Sequence, residues 1–190
     1  GRSSSGLAAA AAGFFSLACL YGLASAASRF GDAMPHGTAA LAAGWFIVAW
    51  LLRDAARQGV TTVGHAVTVV AAGFIAHRLF IAPNPEYLKL FIACAVLSAT
   101  YVGWALVFSS RAAEVVAVLA GWAAAWIGAH EFVPVPLWRV PFRSGASAAL
   151  LAVAYLGARR LRRPFVQVAF VASFLVQAFT LAVAVFFSGF

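Results

Sequence analysis

Charge is the scarcest property of this 190-residue chain: Asp, Glu, Lys and Arg together make up 9% of it. A soluble domain is about a quarter charged. So few ionised groups cannot cover a water-facing surface, and with 64% hydrophobic residues the solvent for most of the chain is lipid. Acids are rarer still, five against thirteen basic residues, twelve of them arginine. Cysteine is limited to Cys19 and Cys94, each inside an apolar run. That excludes a C-x-x-C redox pair and a cysteine zinc site, and both thiols read as small core hydrophobes. No N-x-S/T glycosylation acceptor occurs. The ten-residue alternation of a membrane barrel is missing as well.

What the chain does have is long, unbroken apolar runs. Lipid offers no partner to backbone N–H and C=O groups, so such runs must cross as helices, at roughly 20 residues per crossing. Seven segments stand out, at 7–28, 38–52, 60–82, 87–110, 115–133, 145–158 and 165–190. The second and sixth are short, so the expectation is an all-α, polytopic transmembrane bundle of six to seven helices in a single domain, 1–190. Pro83 and Pro85 break the chain after the third segment, and the proline-rich stretch 134–141 is expected to be irregular. Arg53, Asp54 and Arg57 read as the close of the second segment, and Arg111 and Glu114 as a tight turn before the fifth. The basic, acid-free opening GRSSSG reads as the remnant of a cleaved presequence or an expression scar.

The net charge of +8 would suggest nucleic acid in a soluble protein. Here the arginines punctuate apolar segments, so anionic lipid headgroups and other membrane subunits are the expected partners, and nucleic acid is not. With seven crossings, Arg2, Arg53, Arg57, Arg111 and the arginines at 159, 160, 162 and 163 share one side with the N-terminus. Arg29, Arg78, Lys89, Arg139 and Arg143 share the other, which puts the N-terminus inside.

Ionisable or strongly polar groups at membrane depth are costly and therefore candidates for function. His65 shares a helical face with Thr61 and Thr68, and reads first as a core histidine. His77 and Arg78 sit near the end of the third segment, where Arg78 can snorkel. His130 and Glu131 close the fifth. A histidine beside a carboxylate can relay protons, although neighbours on a helix point about 100° apart and cannot face one partner squarely. Trp122 and Trp126 read as structural. No metal site is expected. Haem b would need two facing axial histidines, which His65 and His77 on one helix cannot provide, leaving His130 paired with one of them. On the last segment Ser173, Gln177, Thr180 and Ser188 form a polar stripe, with Arg143 as a partner across the hairpin. Catalytic carboxylate pairs and nucleophile–base pairs at recognisable spacing are missing, so no catalytic activity of its own is expected.

The last segment reads FLVQAFTLAVAVFF, with Gln177 followed by Ala178 and Phe179, and PVPLWRVPFRSG upstream supplies Arg139 or Arg143. This pattern resembles the C-terminal hairpin of ATP synthase subunit a, the proton-channel subunit. There the penultimate helix carries an essential arginine and the final helix a glutamine in a Q-A-F or Q-A-Y run. The family's R-L-x-x-N asparagine has no counterpart here. The resemblance implies proton translocation within an energy-converting complex of the mitochondrial inner or bacterial plasma membrane, with Arg143, Gln177, His130, Glu131 and Arg139 along the path. A small autonomous transporter, with a site at the proline breaks, and an intramembrane enzyme or haem-binding anchor are the alternatives.

Overall fold

The computed structural model describes residues 2–30, 34–52, 54–108 and 110–135, with single positions 139, 142, 143, 145, 146, 149, 175 and 178. Five helices follow in order: α1 (Arg2–Phe30), α2 (Met34–Leu51), α3 (Asp54–Phe80), α4 (Tyr87–Phe108) and α5 (Arg111–Phe132). Each contains a stretch long and apolar enough to cross a bilayer. The protein is an all-helical integral membrane protein, and the described residues supply five spans, not the six to seven expected. Nearly all of the segments 145–158 and 165–190 lies outside the described residues, as do Gln177, Ser173, Thr180 and Ser188.

Three boundaries differ from the sequence reading. The second helix is not short: it gains a turn at its start, where Pro35 is tolerated because first-turn N–H groups have no intrahelical acceptor. Thr38 Oγ1 donates to Met34 O at 2.6 Å and lies 3.1 Å from Pro35 O, tightening that turn. The charged run after it does not simply close α2, because α3 begins inside it. From α3, Arg57 reaches back, with Nη2 and Nε donating to Leu52 O at 2.7 and 2.9 Å and Nε also 3.2 Å from Ala49 O. A helix end leaves its last carbonyls unsatisfied, and this guanidinium caps them. Arg111 and Glu114, read as a turn before the fifth segment, lie inside α5. Ser110 is the N-cap, its side chain accepting from Ala113 N at 3.3 Å, and Glu114 is buried in the first turn, where a carboxylate suits the positive helix end.

The chain divides into two compact units, Gly1–Thr100 and Tyr101–Phe190, with α4 running from the first into the second. In the first, α3 packs on both α2 and α1. Ala39, Ala42, Phe46 and Ala49 bury one stripe of α2, and Val60, Val67, Ala71 and Ile75 bury one of α3. Small residues permit close helix approach, which replaces the hydrophobic effect as the packing force in lipid. Gly64 meets Trp45 and Phe46, and Gly59 lies where any Cβ would strike Ser5 O of α1. Most large α1 side chains, such as Phe14 and Tyr21, face outward, as a lipid-facing helix requires. The Trp45 indole donates to Ser16 Oγ at 2.7 Å, and Ser16 Oγ donates to Ala12 O at 2.8 Å. Ser16→Ala should therefore lower stability by about 1 kcal/mol, the scale of an interhelical bond in lipid, in SDS-titrated unfolding. A change within error would show that this bond contributes nothing to the α1–α2 contact.

Candidate functional site

Among the described residues of the second unit, a group of polar side chains meets at the C-terminal end of α5. Trp122, Trp126 and His130 are spaced four residues apart, so they stack along one face of the helix. The two indole rings lie 6.1 Å apart, and the His130 ring meets Trp126 edge-on at 6.0 Å. The first non-helical residue, Val133, returns its N–H to Ala129 O at 3.3 Å. Chain beyond the turn then brings two arginines back. Arg139 Nε donates to Val133 O at 2.9 Å, Arg143 Nη2 lies 2.7 Å from His130 Nε2, and the Arg143 guanidinium sits 3.9 Å from the Trp126 ring centroid. The stretch 134–141 was expected to be irregular. Pro134 and Val135 are, but Arg139, the other described residue of the stretch, is helical.

The chemistry of the pair is set by its atoms. A guanidinium has only donors, so His130 Nε2 must accept, which places the imidazole proton on Nδ1. Burial first, and then the charge of Arg139, pull the Arg143 guanidinium below its usual value, though arginine keeps its proton in proteins. The Trp126 face supplies cation–π stabilisation, stronger in a partly desolvated site. Donors dominate: the Trp122 and Trp126 indole N–H groups are buried without an acceptor among the described residues. The site therefore suits a negative or lone-pair-bearing partner.

Of the residues singled out in the sequence, the structure joins Arg143, His130 and Arg139. Glu131 is exposed and outside the cluster, as the angular offset of adjacent residues requires. His65 packs its ring on Phe46 at 5.2 Å, while Thr61 and Thr68 bond back to Arg57 O and Gly64 O of their own helix at 2.7 and 2.9 Å. The polar face of α3 is thus largely satisfied locally. His77 is exposed at the end of α3. No group of three metal-ligating side chains occurs among the described residues. Arg143 was paired in the sequence with the Gln177 stripe, but its described partner is His130. Trp126 is the residue that sequence reasoning passed over as structural, and its four-residue offset from His130 was the signal. Pro83 and Pro85 lie in the connection between α3 and α4. Compared with known families, characterised proteins and solved structures, the chain matches none.

Proposed function

We propose that the protein is a multi-pass subunit of a larger, energy-converting membrane complex, and that the cluster at the end of α5 belongs to a proton-translocation path. The observation that carries this is the guanidinium of Arg143, held between His130 and Trp126 at the end of a membrane span. A permanent cation at such a site is costly. Its use is to hold a fixed positive potential beside groups that gain and lose protons, of which histidine is the one suited to physiological pH. The excess of donors supports the subunit reading, in which a carboxylate on a partner's helix supplies the acceptor. The resemblance of the C-terminal hairpin to ATP synthase subunit a points the same way, and with it to the mitochondrial inner or bacterial plasma membrane. In this reading the segments 145–158 and 165–190 complete a bundle of six to seven helices.

In mild detergent the protein should co-migrate with a large assembly. A stable small oligomer with uptake activity of its own would overturn the subunit reading. Arg143→Ala and Gln177→Ala, made separately in that assembly, should each lower proton flux by about tenfold, one interaction's contribution to a barrier. Flux unchanged in both variants would remove the proton path.

A further inference from the structure

A second charged site lies in the first unit, away from the cluster just described. A small recess at the α3–α4 connection is lined by Pro35, Arg78, Asn84, Glu86, Lys89 and Leu90. Three parts of the fold meet there: the first turn of α2, the last turn of α3, and the connector with the first turn of α4. The span of α3 ends at Phe80 and that of α4 begins at Tyr87, so the recess sits at the level of lipid headgroups. Arg78 and Lys89 are half-buried, and Leu90 and Pro35 form an apolar floor. Phe80, Ile81 and Leu88 are exposed on the same connection, where acyl chains begin. A ligand resting here meets charge and hydrocarbon within one site.

Glu86 makes an ion pair with Lys89. Both ends of the pair are substantially solvent-accessible, 38% for Lys89 and 56% for Glu86, and exposed ion pairs of this kind are weak. Lys89 can therefore exchange the carboxylate for a stronger acceptor. Among the described lining residues, two cations against one carboxylate give the recess a positive balance. Arginine offers a planar fork that matches phosphate oxygens bidentately, lysine a point charge that adjusts to them, and the Asn84 amide adds neutral donors.

We infer that this recess binds a phosphate group at the membrane surface, carried by an anionic phospholipid or present as free phosphate. Glu86 competes with that phosphate for Lys89, so removing its charge strengthens binding while removing either cation weakens it. This goes beyond the proton path and does not depend on it, because binding is read without any proton gradient.

The test places the protein in phosphatidylcholine nanodiscs and titrates in phosphatidylglycerol, with bound lipid counted by native mass spectrometry. Arg78→Gln and Lys89→Gln should each weaken binding by about fivefold, as expected for one basic residue near an anionic surface. Glu86→Gln should tighten it. Arg78→Lys, which keeps the charge, should retain more affinity than Arg78→Gln. In a second arm inorganic phosphate is added alone: saturable binding that follows the same order of variants identifies free phosphate as sufficient, and its failure to bind beside phosphatidylglycerol binding identifies the lipid. Wild-type affinity for both probes in Lys89→Gln and Glu86→Gln would overturn the inference. Those two substitutions are at accessible positions, so the outcome holds even if Arg78→Gln does not fold.

Discussion

Gly59→Leu is expected to separate α1 from α3, at a cost of about 3 kcal/mol or more. Adding volume to a packed contact typically costs about 1–3 kcal/mol, and here the obstacle is backbone: a Cβ at Gly59 would strike Ser5 O and crowd Ala9. A carbonyl in a helix cannot turn aside as a side-chain tip can. Gly59→Ala separates this effect from ordinary helix energetics. In a helix interior, alanine is favoured over glycine by about 1 kcal/mol, so alanine should stabilise wherever space allows. Gly73 of the same helix has open space where its Cβ would be, and Gly73→Ala should be neutral or stabilising. Gly59→Ala should instead destabilise by about 1–2 kcal/mol. Unfolding by SDS titration would measure both. Equal, stabilising effects at the two positions would show that α1 does not approach α3 at Gly59.

The second large effect is expected at Arg143. Its removal takes away a charge-assisted hydrogen bond to His130 and the cation over Trp126. Hydrogen bonds involving a charged group are worth about 1.5–3 kcal/mol, and partial exposure of the guanidinium brings the expected cost of Arg143→Ala to about 2 kcal/mol. Lysine should not restore it, because a point charge cannot lie flat on the indole while reaching His130 Nε2. Combined with His130→Ala, the loss should fall short of the sum of the two single losses by about 1 kcal/mol, since contacting residues couple by about 0.5–3 kcal/mol. Strict additivity would mean that the two side chains act separately. Trp126 emission provides a second measure, expected to shift in Arg143→Ala and to remain near its original position in Glu131→Gln, since Glu131 lies outside the cluster.

Much of the architecture was legible in the amino-acid order because lipid imposes so few solutions. The runs around Leu17, Ile75 and Leu97 had to be helices once their length and apolarity were known. Cys94 was expected as a small core hydrophobe, and it is buried. Helix ends were less legible. Arg57 reads locally as a stop signal but belongs to the following helix, since its long side chain satisfies carbonyls eight and five residues behind it. Ala117, Gly121, Ala125 and Ala129, small residues at every fourth position of α5, read as one close-packing stripe, but only Ala117 and Ala129 are buried and Gly121 and Ala125 are half-buried.

Composition and hydropathy by themselves determined the solvent, the helical class and the positions at which polar groups would be anomalous, because each follows from local transfer energies and backbone satisfaction. Tertiary structure alone decided which anomalous groups meet. Arg143 joins His130 across a proline-bearing turn, Trp45 finds Ser16 on another helix, and Gly59 gives way to a backbone carbonyl. These contacts depend on chain direction after a turn and on helix rotation, which cooperative packing sets and the identities of single residues do not encode.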